Sequence, residues 1–300
     1  MSRSGGTWVC YNHWFDMTRL RISAISYLNT APLMWDFEHG SAGRNFDISY
    51  TLPSSCAAAL RSGAGNIGII PAAAYASIPD LVIIPGVAIA ALDAVRSILI
   101  VSKMPLEQVS TVAMDTSSMT SVALTKVLFA KWLGGSRTYV PMAPQIEKML
   151  GECDAGLVIG DPALAVNRAE FPFTYDLAQE WKRLTDRPFV FAFWAVRKQA
   201  LREYSGDPDL ATVFQESRDH GLKHLDEISR EWSARMGLSE ADVKRYLTKN
   251  IHFYLDPACV EGMQMFFHYA AECGAIPVAP RLRFLEQVAQ ATPSVLPTGT

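Results

Sequence analysis

Strand-like and helix-like segments alternate twice along this chain, and the alternation then gives way to helix alone. Leu20–Ile25 is short and apolar, as a buried strand is, and it ends in Ser26-Tyr27-Leu28-Asn29-Thr30. Pro32 follows where a first helical turn accepts proline, with Thr30 as a candidate cap. Residues 46–52 alternate apolar and polar, and Pro53-Ser54-Ser55 opens a helix whose apolar body is 56–60. Gly63-Ala64-Gly65 closes that helix, and 66–70, 82–84 and 97–101 read as strands. The series then restarts. Residues 111–115 read as a strand, 117–133 as the approach and body of a helix, and 138–140 as a strand. A helix over 146–150, a strand over 156–160 and a very apolar strand over 189–196 follow. From Gln199 onward the pattern is helical, over 201–225, 239–249 and 257–273.

Strand–helix–strand spacing of this kind predicts mainly parallel sheets and an α/β class. Two such series with a helical tail fit a Venus-flytrap arrangement of two lobes. The expected limits are 17–102 with the returning segment 197–292 for one lobe and 103–196 for the other, with 1–16 as an N-terminal extension. Residues 100–103 and 193–197 would cross between them, and ligand would bind in the cleft under hinge closure. A single doubly wound domain gives a similar pattern.

Bulk properties narrow the function. A chain of 300 residues with 49% apolar residues can bury a large core. A net charge of -3 without a Lys/Arg tract argues against a nucleic-acid partner. The cysteines (Cys10, Cys56, Cys153, Cys259, Cys273) are odd in number and form no C-x-x-C, so reduced cytosolic thiols are expected rather than a disulfide framework or a zinc site. The longest apolar stretch, 81–92, is interrupted by Pro85-Gly86 and is too short for a membrane span. Residues 1–16 lack the continuous apolar region of a secretory signal, and Met17 stands just before the first regular pattern as an alternative start.

Three segments end a strand in small polar residues, where open α/β sheets hold ligands: 26–30, 115–121 and 159–164. The first two precede helices, whose N-termini attract anions, so a small anionic metabolite with two carboxylates would suit a cleft between them. Thr30, Ser117 and Ser118 are equally at home as helix caps. Asn29 offers a carboxamide that can orient a hydroxyl, or can simply serve a turn. Ser97 faces either the cleft or a strand edge. Arg96 is either a carboxylate partner or a surface charge, and Asp161 is either an N-cap or a cleft carboxylate. His220 and His224 have metal-ligand spacing but no second pair of ligands in sequence, so no metal is expected. No G-x-S-x-G, P-loop or G-x-G-x-x-G occurs, and no cofactor is expected.

The motifs SYLNTAP (26–32), IGIIP (67–71), VRSI (95–98), DTSSMTS (115–121), LVIGDPAL (157–164) and YDLAQEW…RPFVFAFWAVR (175–197) resemble, in order and spacing, those of the chorismate dehydratases of the futalosine route to menaquinone. The likeness runs from about Arg21 to Arg197, is looser in the helical remainder and has no counterpart for 1–16. It implies a type II periplasmic-binding-protein fold used as a cytosolic hydro-lyase that converts chorismate to 3-[(1-carboxyvinyl)oxy]benzoate. It also implies a catalytic Asn29 and substrate contacts from Ser97, Ser118, Thr120, Ser121 and Asp161. Met119 departs from members with a basic residue there, which removes an ionic contact. The rivals are a solute-binding protein or ligand sensor on the same fold, and the sister enzyme that makes dihydroxynaphthoate, whose Ser-Pro-Cys-Pro-Asn opening is absent. The helical tail offers a surface for a homodimer.

Overall fold

The computed structural model describes residues 19–203 and 209–286. Its strands, in chain order, are β1 (Leu20–Ile25), β2 (Phe46–Thr51), β3 (Ile67–Pro71), β4 (Leu81–Ala91), β5 (Ile98–Ser102), β6 (Thr111–Asp115), β7 (Thr138–Met142), β8 (Ala155–Ile159), β9 (Phe173–Asp176) and β10 (Phe189–Arg197). They form two five-stranded sheets, ordered β2-β1-β3-β10-β4 and β7-β6-β8-β5-β9. The two orders have the same plan. In each, three neighbouring strands pair in parallel, the far edge strand (β4 or β9) runs the same way, and one inserted strand runs antiparallel to both of its neighbours: β10 between β3 and β4, and β5 between β8 and β9. This is a two-lobed α/β fold with a helical C-terminal segment, as the alternation predicts.

The expected lobe limits and the sheets part at both crossings. Ile98–Ser102 bonds in the second sheet and Phe189–Arg197 in the first, so residues 100–103 and 193–197 are interior to the sheets rather than crossing between them. The chain passes between sheets at 92–97 and near 186–188. Residues 1–18, with Cys10 and Met17, lie outside the described residues, as do 204–208 and 287–300.

Two elements escape the sequence pattern because local chemistry hides them. β4 continues through Pro85-Gly86 to Ala91. It is an edge strand, where proline is tolerated, and Gly86 adopts φ +79° beside a register shift against β10. β9 is short and half-buried, and the helix Leu177–Thr185 follows it without a break. Asp176 ends that strand and caps that helix, its carboxylate accepting from the N–H groups of Ala178 and Gln179 at 3.1 and 3.3 Å. The same carboxylate accepts from Val95 and Arg96 at 3.1 and 2.6 Å, which holds the first crossing and the left-handed Arg96 (φ +62°) in place.

The helical segment read over 201–225 is divided. Lys198–Glu203 and Leu210–Lys223 are separate helices, and an unread helix, Leu225–Met236, begins after a break at His224. The His224 ring stacks on Trp35, and His220 Nδ1 bonds Asp36 Oδ2 at 2.7 Å, so the pair braces the turn after Asn29. Glu240–Arg245 runs into a π turn, Tyr246–Asn250, and Pro257–Glu272 is capped by Asp256.

Candidate active site

The carboxyl ends of the parallel strands in both sheets meet at the interface of the lobes. Between them lies a cavity of about 50 Å³ whose polar wall is Tyr27, Asn29, Ser118, Thr120 and Ser121. Its apolar wall includes Ile25 and Ile89 from the first sheet and Ile98 and Ile159 from the second. Apolar walls with a few directed polar groups are the usual composition of a small-molecule site.

Hydrogen bonds tie the lobes around this cavity. Ser54 N–H donates to Ser117 O (3.1 Å), Leu28 N–H to Asp161 Oδ1 (3.1 Å) and Ala73 N–H to Thr120 Oγ1 (3.1 Å). The Tyr27 and Ser117 hydroxyls lie 3.4 Å apart. The Tyr27 ring also packs on Gly160, which adopts φ +65° and whose N–H donates to Ser97 O at 2.8 Å.

The first polar segment is a 3-10 turn, Leu28–Met34, with Pro32 inside it. It begins two residues before Thr30, so Thr30 is not its cap. The Thr30 hydroxyl instead donates to Asn29 Oδ1 at 3.4 Å. Asn29 is 9% exposed and lines the cavity.

In the second segment the helix starts at Thr120. Ser118 Oγ accepts the N–H of Ser121 at 3.2 Å, so it does serve the helix start and lines the cavity as well. Ser117 does not cap: its hydroxyl and N–H both donate to Asp115 Oδ1, at 2.6 and 2.8 Å. Asp115 Oδ2 accepts from Ile159 N–H. Burial pushes the Asp115 carboxyl up, and these bonds to Ser117 and Ile159 oppose that rise. Thr120 Oγ1 donates to Phe191 O at 3.0 Å while accepting from Ala73, so its hydroxyl joins lobes rather than pointing free into the cavity. Met119 is half-buried against the core.

Ser97 and Asp161 sit behind the wall, each next to a lining residue, Ile98 and Gly160. Ser97 is fully buried and its Oγ accepts from the Tyr246 hydroxyl at 2.9 Å. Asp161 is not an N-cap, because the helix Gly160–Leu164 carries no side-chain cap bond; it bridges the lobes through Leu28. Arg96 is partly exposed and is not among the residues that line this cavity. Two tyrosines escape sequence reasoning. Tyr27 lies inside the 26–32 motif without a distinct signal, and Tyr246 lies in a helical stretch with no motif at all.

Burial pushes the Asp161 carboxyl up to about 6, partly offset by the Leu28 bond. The folded protein therefore binds this proton more tightly than the unfolded chain. The stability so contributed is present below about pH 4 and lost as pH rises through about 6. Asp161→Asn keeps an acceptor for Leu28 without the charge. It is expected to flatten the stability–pH curve in that window and to add about 1–2 kcal/mol at pH 7. Urea unfolding at a series of pH values tests this, and a curve parallel to the wild type would refute it.

Among the described residues, His252, Asp256 and Cys259 place a ring nitrogen, a carboxylate and a thiol within 4.8 Å of one another. They satisfy each other: His252 Nε2 bonds Asp256 Oδ2 at 2.8 Å, and Asp256 Oδ1 accepts the Cys259 N–H as a helix cap. Burial holds the Cys259 thiol protonated, pushed up to about 12.

The family model described as menaquinone biosynthesis matches residues 20–272. The chain belongs to that family. It is 30% identical over 271 residues to the chorismate dehydratase of Thermus thermophilus, covering 85% of this chain and 94% of that protein. Among solved structures, a protein of Archaeoglobus fulgidus superposes with a TM-score of 0.67 at 16% identity, over 86% of this chain and 98% of that one. The alkanesulfonate-binding protein SsuA of Xanthomonas axonopodis pv. citri, bound to MOPS, superposes with a TM-score of 0.61 at 14% identity, over 88% of this chain and 94% of that one. The fold is therefore of the periplasmic-binding-protein type. No helix among the described residues is long and apolar enough to cross a membrane.

Proposed function

We propose that this chain is a chorismate dehydratase, which eliminates water from chorismate to give 3-[(1-carboxyvinyl)oxy]benzoate. The observation that carries this reading is convergence. Asn29 from one motif and Ser118, Thr120 and Ser121 from another, 86 or more residues later, line one cavity between the lobes. Family membership and the Thermus relative support the choice of substrate.

The chemistry asks for positioning more than for a strong base. The C3–H electron pair becomes the C3=C4 bond, and hydroxide leaves C4 and is protonated to water. The ring becomes aromatic, so the driving force lies in the substrate. The protein has to hold the substrate, direct the leaving hydroxyl and keep bulk water out. In our reading the substrate's enolpyruvyl carboxylate takes the C3 proton, and Asn29 donates a hydrogen bond to the departing oxygen. The hydroxyls of Ser118 and Ser121, at a helix start, face the substrate carboxylates, while Ser97 and Asp161 support the wall from behind. The same reading places the enzyme in the cytosol, without a nucleic-acid partner, and allows a homodimer through the helical segment.

Incubation of the purified protein with chorismate, with no added metal or cofactor, followed by chromatography and mass spectrometry, tests it. The expected product is one water lighter than chorismate and has the absorption of a benzoate. Chorismate that raises the melting temperature yet is recovered unchanged would show a binding protein instead.

A further inference from the structure

We infer that a second ligand site lies at the edge of the first lobe remote from the cleft, a basic pocket that takes a small metabolite carrying two or more phosphate or carboxylate groups. Arg61, Arg197, Lys198 and Arg202 line it together with one carboxylate, Asp80. Its wall is thus strongly positive in a chain whose net charge is -3. None of the four cations has a carboxylate partner among the described residues. Asp80 already lies 3.9 Å from a further cation, Arg283. The pocket has a volume of about 340 Å³, within the range of small-molecule sites, and its apolar part is Leu60 and Ile78, both buried. Guanidinium groups match the paired oxygens of phosphate and carboxylate. Like charges gathered in a concave wall also focus their field there, which raises the local concentration of anions.

The backbone builds this pocket away from the proposed active site. β10 places Phe191 and Ala192 in the cavity between the lobes and ends at Arg197. Arg197 stands five positions beyond Ala192, about 17 Å along the strand. Arg197 N–H donates to Asn66 O at 2.9 Å and Lys198 N–H to Asp80 O at 2.8 Å, which pins both residues beside the turn at 78–80. Arg61 comes from the last turn of the helix Pro53–Ser62, and its Nη2 donates to Ser77 Oγ at 3.1 Å. The Arg197 guanidinium packs on Gly63, directly after that helix, where a Cβ would lie 2.7 Å from Nη1. Cations are favoured at the carboxyl end of a helix, but that does not account for this crowding. Arg21 already donates to Gly63 O and Ala64 O at 2.9 and 2.6 Å, and Lys198 and Arg202 belong to another helix, Lys198–Glu203.

Binding is measured without chorismate, so the result does not depend on the dehydratase reading. Pyrophosphate and citrate, one for each class of anion, are titrated into the full chain by calorimetry at constant ionic strength. At least one of them is expected to bind at a single site with a Kd below about 1 mM, and the tighter of the two names the class. Arg61→Ser combined with Arg202→Ser is expected to weaken that binding by about 10-fold or more. Both side chains are exposed, so the melting temperature is expected to stay near that of the wild type. Asp80→Asn is expected to act in the opposite direction, tightening the binding about 2- to 5-fold, because it removes a negative charge from the wall. Asp80 adopts φ +55°, which asparagine accepts, and a damaged fold cannot imitate a gain in affinity. Equal affinity in the wild type and both variants would place the anion elsewhere, the cavity between the lobes included, and would overturn the inference. So would a wild type that binds neither anion.

Discussion

Asn29→Ala is expected to lower kcat on chorismate by about 100- to 1,000-fold, the range seen when one preorganised donor to a developing negative charge is removed. The argument rests on what the leaving hydroxyl needs. As the C4–O bond breaks, negative charge gathers on oxygen, and a donor aimed at it is worth far more inside an apolar cavity than in water. Asn29 is the carboxamide in the cavity wall, and isoleucines line the same space. Its oxygen is turned to Thr30, so its nitrogen is the group left to face outward. Stability is expected to change little by comparison, because the side-chain bond that the variant gives up is a long one, 3.4 Å, to Thr30. Steady-state kinetics beside a thermal melt separates the two effects. Turnover within threefold of the wild type would remove Asn29 from the reaction.

Much of this arrangement is legible in the sequence because it depends on periodicity. The short apolar strands, the Pro53 helix start and the Gly63 stop (φ +82°) each declare themselves locally, and so does the near-uniform apolar run of β10. The strand-end segments at 26–30 and 115–121 stand out too, as small polar residues between a strand and a helix, although capping explains such residues equally well. What cannot be read locally is partnership across the chain. Asp161 looks like an N-cap from its neighbours, yet its carboxylate accepts from Leu28, 133 residues away. Thr120 looks like a free hydroxyl at a helix start, yet it is shared between Ala73 and Phe191. Tyr246 shows nothing locally, because a buried tyrosine in an amphipathic helix is indistinguishable from a core aromatic until its hydroxyl finds Ser97. The sheet crossings are hidden for the same reason: whether a strand pairs with its own half or the other is a long-range fact, and the apolar pattern of β5 and β10 suits either sheet.

Gly160→Ala is expected to reduce turnover by more than about 100-fold, since a displacement of about 1 Å at a site of this kind costs that much. The effect is expected to come from forcing the lobes apart rather than from touching the substrate. Two separate costs meet at this residue. Its φ of +65° is open to glycine and costs other residues about 1–2 kcal/mol. A methyl group there would also lie 2.6–2.8 Å from three atoms of the Tyr27 ring. That ring has little freedom to retreat: it is 9% exposed, and its hydroxyl lies against Ser117. Gly160 follows β8 of the second sheet and Tyr27 follows β1 of the first, so relief of the overlap separates the two sheets where Asn29 and Ser118 share a wall. Small-angle scattering on Gly160→Ala is expected to show a larger radius of gyration than the wild type, alongside a raised KM. Combining it with Tyr27→Ala distinguishes the two costs. If the overlap dominates, Tyr27→Ala with Gly160→Ala is no worse than Tyr27→Ala alone. If backbone strain dominates, the second substitution adds its full loss, and the Tyr27–Gly160 contact is then not what keeps the lobes together.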